Sequence, residues 1–163
     1  MQNAAFDDKK MLDLFPEIEC GGEAFDALKN VRVSKVNVFS KSKKLEIFIS
    51  SDNLIPISAI FDLENSFTDL FKLECVTIVP RFETGLNLNE ILVEYWDSIL
   101  AAVNRKLALS RGILSECEWD LFDRKLLIKL KTKGSDILKS KGCDSLLEKI
   151  LDDWFSVKLK VDF

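Results

Sequence analysis

The sequence predicts an α+β chain of two small subdomains, a ββαβ unit followed by an αββααβ unit. Three observations lead there. Period-two runs rich in Val, Ile and Leu alternate with longer stretches whose apolar residues recur at three- and four-residue steps, the signatures of strand and helix. The series starts afresh after a short break at residues 81–86, which contains Gly85. The third observation is a hairpin whose two faces demand the same register. A length of 163 residues accommodates one domain or two small ones.

Residues 1–30 predict a helical, partly mobile arm. Met11, Leu12 and Phe15 make one apolar stripe of a short helix ended by Pro16, and Phe25 and Leu28 belong to a second turn before Asn30. Gly21-Gly22 separates the two. The first subdomain, 31–82, opens with strands at 31–39 and 43–50, joined by Ser40-Lys41-Ser42. Leu45, Ile47 and Ile49 share one face, whereas Val31 and Val33 fall out of step with Val36 and Val38, which predicts a bulge near Ser34. Pro56 suits the first turn of a helix, and Ile57, Ile60, Phe61, Phe67 and Phe71 continue down one side of it. A third strand at 73–79 is closed by Pro80.

The second subdomain, 86–163, starts at Asn87, which with Glu90 three places on forms a capping box. Ile91, Leu92, Tyr95, Trp96, Ile99 and Val103 then mark a long helix ending before Gly112. With Asp123 and Arg124 as a two-residue turn, Leu121 faces Leu126, Trp119 faces Ile128 and Cys117 faces Leu130 on one side of the hairpin. On the other side Glu118 faces Lys129 and Glu116 faces Lys131. A slip of one residue would ruin both faces. A short helix at 135–141 closes at Gly142, and a second one from Asp144 buries Leu147, Ile150, Leu151, Trp154 and Phe155. Val157, Leu159, Val161 and Phe163 alternate along a strand that runs to the last residue. Termini ordinarily fray in polar residues, so the chain reads as a piece of a longer protein cut at a domain edge.

Composition narrows the function classes. Hydrophobic residues make up 47% of the chain, with only six Gly and three Pro, which predicts a packed fold rather than a disordered one. No apolar run approaches the ~18 residues of a membrane span, and the first residues lack the basic start and apolar core of a signal peptide. Cys20, Cys75, Cys117 and Cys143 are widely spaced, which predicts reduced thiols and a cytoplasmic protein without membrane partners. Histidine is absent, removing the usual general base and the commonest metal ligand. A net charge of −4 argues against wholesale polyanion binding but not against a local basic patch.

Residues 124–141 hold seven basic side chains against one acid, Asp136. Lys129 and Lys131 answer the hairpin acids; Lys133, Lys139 and Lys141, near a helix–helix turn, have no evident partner and are the candidates for nucleic-acid phosphates. The αββααβ order resembles the type II KH fold, whose members grip single strands with a G-x-x-G loop between paired helices. Here that position reads Ser140-Lys141-Gly142-Cys143, lacking the first glycine. Cys143, at a helix start beside Lys141, has surroundings that lower a thiol pKa, but no partner makes it catalytic. Glu90, Glu94 and Asp97 lie away from the apolar stripe of their helix and read as a solvated face, not a metal site.

Val31-Arg-Val-Ser-Lys-Val-Asn-Val through Ile78-Val-Pro, Ile55-Pro56 opening the helix that leads to Phe67 and Phe71, and Glu94-Tyr95-Trp96 followed by the Trp119 hairpin resemble the start of PolC-type DNA polymerase III α subunits. The resemblance covers essentially the whole chain. It implies a non-catalytic N-terminal region of a DNA-directed DNA polymerase with 3′–5′ proofreading. The Mg²⁺-holding acids of such an enzyme would lie downstream, so no cofactor and no catalytic residue are expected in this chain. It further implies attachment to replisome proteins such as the clamp-loader τ subunit, or to single-stranded DNA or RNA through the KH-like half. Residues Met11, Leu12 and Phe15 are the candidates for partner binding.

Overall fold

The computed structural model describes residues 2–18 and 26–163, with the backbone alone for residues 2–8. The chain is α+β and divides into two compact units, residues 1–85 and 86–163.

The N-terminal unit comprises strand β1 (Gln2–Lys10), the helical turn α1 (Met11–Leu14), β2 (Arg32–Phe39), a 3-10 turn (Ser40–Ser42), β3 (Lys44–Ser51), helix α2 (Ile57–Phe71) and β4 (Cys75–Phe82). Its sheet runs in the order β1-β2-β3-β4, antiparallel except for the β3–β4 pair, which α2 connects as a parallel crossover. The expected ββαβ series is present as β2, β3, α2 and β4. The bulge lies where the valine phase breaks: Val33 pairs with Ile49 and Lys35 with Phe48, leaving Ser34 as the extra residue.

One difference is substantial. The first residues, expected within a helical arm, instead extend along β2 as an edge strand, with Asn3 opposite Asn37 and Lys10 opposite Arg32. The segment has neither a strand nor a helix period of its own, so the vacant edge of β2 decides its conformation. The predicted turn at Met11 does form, but Met11 is 1% exposed and its N–H donates to the Val31 carbonyl at 2.8 Å. It is a core residue. The sequence expectations for Cys20, Gly21-Gly22 and Phe25 fall outside the described residues; Leu28 is fully buried.

Helix α2 turns Ala59, Ile60, Leu63 and Phe67 inward, against a sheet face made by Val33, Val36, Ile47, Ile49, Val76 and Ile78. The buried stripe is rotated slightly from the predicted one: Ile57 and Phe61 are half-buried, and Phe71 is exposed. Strand β4 runs through Pro80 rather than stopping at it. On its open edge the Ile78 N–H donates to the buried Glu64 carboxylate at 2.7 Å, and Pro80, two residues on with the same orientation, carries no N–H to leave unpaired. The exposed edge of the sheet is thereby blunted.

The C-terminal unit comprises α3 (Leu88–Lys106), the short turn α4 (Ser110–Ile113), β5 (Glu118–Phe122), β6 (Lys125–Lys129), α5 (Ser135–Ser140), α6 (Cys143–Phe155) and β7 (Lys160–Asp162). Apart from the inserted α4 this is the expected αββααβ order. Its sheet is β5-β6-β7, with β7 parallel to β6. Asn87 and Glu90 form the reciprocal capping box, at 3.1 and 2.8 Å. The hairpin register is the predicted one, Leu121 with Leu126, Trp119 with Ile128 and Glu118 with Lys129. Tyr95 lies edge-on to Trp154 and Phe155, at 6.2 and 6.1 Å, joining α3 to α6. Burial raises the Tyr95 phenol above its ordinary pKa, only partly offset by Ser98. The last strand is shorter than expected: Ser156 takes a left-handed conformation and the Val157 N–H closes back on the Leu151 carbonyl, so pairing begins only near Lys160.

Candidate functional site

The KH-like turn between α5 and α6 consists of Lys141 and Gly142, with Gly142 at φ +69° supplying the left-handed residue that the tight junction requires. Lys133 and Lys141 are exposed and make no ion pair among the described residues. Lys139 differs from expectation. Its ammonium lies 2.7 Å from Asp162 Oδ1, while Lys125 lies 2.9 Å from Oδ2 of the same carboxylate. The parallel docking of β7 on β6 brings Asp162 under both lysines, a long-range pairing that spacing along the chain does not disclose. Lys139 therefore ties α5 to β7. Of the hairpin lysines, Lys131 pairs with Glu116 as predicted, at 3.3 Å, whereas Lys129 reaches diagonally to Asp120 instead of to Glu118 opposite.

Asp162 carries a pH prediction. Hydrogen bonds from Lys139, Lys125 and the Phe163 N–H hold its carboxyl well below the usual carboxylate range. A depressed folded-state pKa contributes stability that is present above the unfolded value, about 4, and lost as pH falls toward the folded one. The difference in urea midpoint between the wild type and Asp162→Asn should be greatest near neutrality and shrink steadily on acidification below about pH 4. A difference independent of pH would contradict the pairing.

Cys143 is fully buried, and burial, with Asp144 adding to it, pushes its thiol up to about 11. The expected lowering by the helix start and Lys141 does not occur, because the side chain points into the core. Cys117 is raised as well, first by burial, with the Trp96 indole partly offsetting it. Glu90, Glu94 and Asp97 are exposed, and among the described residues no group of three His, Cys, Asp or Glu side chains is placed to hold a metal ion. An open groove of about 540 Å³ runs beside α6, lined by Arg124, Glu148, Lys149, Asp152, Lys158 and Leu159 among others. Its charges largely answer one another: Lys149 pairs with Asp153 at 3.1 Å and Lys160 with Glu148 at 3.0 Å.

In the N-terminal unit the predicted partner residues separate. Met11 is buried, and Leu12 and Phe15 are half-buried. The Phe15 ring meets Phe67 edge-on at 4.8 Å and Phe71 at 6.3 Å, and Phe67 stacks on Phe71 at 5.8 Å. This trio grades from fully buried Phe67 to Phe71, which is 41% exposed beside Leu70, also 41% exposed. Helical spacing predicts Phe71 on the same side of α2 as Ile60 and Phe67. Its position in the last turn, next to Lys72 in the left-handed conformation that ends α2, is what lifts it away from the sheet. Among the described residues no helix is long and apolar enough to cross a membrane.

No curated protein and no solved structure matches the chain. Residues 10–79 match the family described as DNA polymerase III polC-type N-terminus I, and residues 94–163 match DNA polymerase III polC-type N-terminus II. The two matches fall one on each compact unit, in order, and together span most of the sequence; the chain belongs to the N-terminal region of the polC-type DNA polymerase III family.

Proposed function

We propose that this chain is a replisome-attachment module of a replicative DNA polymerase, without chemistry or a metal of its own, and that it binds protein through the apolar surface around Phe15, Leu70 and Phe71. The observation that carries the reading is the match of both units to polymerase N-terminal regions. The exposed Leu70-Phe71 pair, backed by Phe15 and Phe67, supplies what a protein partner would use. Aromatic side chains held rigid by a packed base make efficient contact anchors, because little rotamer freedom is lost on binding. The clamp-loader τ subunit is the first partner to test.

The immobilised chain should retain purified τ, and Phe71→Ser should reduce that retention roughly tenfold or more, as for an interface anchor. Deleting the first residues would be a poor test, since it strips β1 and Met11 from the fold. Equal retention by wild type and variant would refute the surface. The rival reading, single-strand binding by the KH-like unit, is left with Lys133 and Lys141, because Lys139 is committed to Asp162.

A further inference from the structure

We infer that the N-terminal unit carries a single-stranded nucleic-acid surface on the face of its sheet opposite α2, a role separate from protein attachment. The register defines that face. Phe39 lies beside Lys44 and Cys75; Asn37 beside Glu46 and Thr77; Lys35 beside Phe48 and Val79. Phe39 and Phe48 are half-exposed, and Lys35 and Lys44 are exposed. The Lys35 ammonium sits 5.6 Å from the Phe48 ring centroid, so a cation and an aromatic face are already presented together.

Charge complementarity specifies the occupant. Residues 31–45 contain Arg32, Lys35, Lys41, Lys43 and Lys44 and no acid, within a chain of net charge −4. Arg32 is answered by Asp52 and Glu83, at 3.3 and 3.8 Å. The four lysines make no ion pair among the described residues. Lys41, Lys43 and Lys44 gather at the end of the sheet where β2 turns into β3, and the Glu74 N–H, donating to the Lys43 carbonyl at 2.9 Å, ties the start of β4, two residues after Lys72, to the same end. Glu46, an acid on this face, is held by the Asn37 amide at 3.1 Å. Half-exposed aromatic rings on this face, flanked by lysines that make no ion pair among the described residues, suit a strand whose bases stack while its phosphates meet ammonium groups. A protein partner would need no such pairing of rings with cations along one strand direction.

The test uses the full chain and a fluorescein-labelled oligo(dT), followed by anisotropy at several salt concentrations. The wild type should bind at low salt, with affinity falling steeply as salt rises. Phe48→Leu keeps an apolar side chain on the face but removes the stacking ring, and should weaken binding roughly tenfold. Lys43→Glu with Lys44→Glu, both exposed, should flatten the salt dependence by about 0.7 of a log unit for each lysine. Lys133→Glu with Lys141→Glu in the other unit should change nothing. No binding by the wild type at low salt, binding by Phe48→Leu equal to the wild type, or loss caused by the Lys133 and Lys141 changes would each overturn the inference. None of these outcomes bears on retention of τ, so the two proposals fail separately.

Discussion

Replacing Phe67 with Ala should cost about 3–5 kcal/mol of stability, the range for truncating a fully buried aromatic. Phe67 has no exposed surface, lies on the inward side of α2 and contacts two further rings, Phe15 edge-on and Phe71 stacked. Such ring pairs add about 0.5–1.5 kcal/mol beyond area burial. Phe15 follows directly on α1 and Phe71 ends α2, so loss of the central ring loosens both the N-terminal turn and the crossover helix. Small domains hold only about 5–15 kcal/mol in total, and the change should remove a large share of it. Tryptophan emission would be a poor probe, because Trp96, Trp119 and Trp154 all lie in the C-terminal unit. Far-ultraviolet circular dichroism during urea unfolding, or amide exchange along α2 and β4, reports the loss directly. A midpoint within experimental error of the wild type would show that Phe67 does not organise this core.

Glu64→Ala should be the next most damaging change, at about 2–3 kcal/mol, because it strips the acceptor from a buried backbone donor. The Glu64 carboxylate is 6% exposed and takes the Ile78 N–H at 2.7 Å. With alanine the N–H faces an apolar gap at the edge of β4. Glu64→Gln keeps a side-chain oxygen in reach and should cost less than half as much. The order Ala worse than Gln is the informative result, since a purely volumetric effect would separate the two in the same sense but without affecting exchange of the Ile78 amide. Rapid exchange of that amide in Glu64→Ala, and slow exchange in Glu64→Gln, is the expected signature.

How much was legible depended on whether local pattern or distant pairing decided each feature. The hairpin register followed from sequence because two independent faces, apolar and charged, agree on one alignment. The bulge at Ser34 was equally legible, since an inserted residue leaves its trace as a phase break in the valines. The capping box at Asn87 is a purely local device. The edge strand β1 was not legible: nothing within its residues favours extension, and the partner that imposes it lies beyond α1. The Lys139–Asp162 pair was illegible for the same reason, the carboxylate arriving on the final strand through parallel docking.

The candidate surfaces divide along similar lines. Met11, Leu12 and Phe15 were recognisable as an apolar stripe, but periodicity does not tell a stripe that meets a core from one that meets a partner. The structure assigns Met11 to the core and leaves Phe15 at the margin, beside Leu70 and Phe71. The basic run from Arg32 to Lys44 reads from sequence as strand and turn; that Lys35 and Lys44 share a face with Phe39 and Phe48 follows only from the strand register.

The most direct measurement of the central claim sets binding against stability in one variant, Leu70→Ser with Phe71→Ser. Both side chains are 41% exposed, so the variant should remain folded, its unfolding midpoint lowered only by the lost Phe71 contacts with Phe15 and Phe67, while retention of τ is lost. Retention equal to the wild type in a variant that remains folded would contradict the proposal that this unit attaches the polymerase to its replisome through that surface.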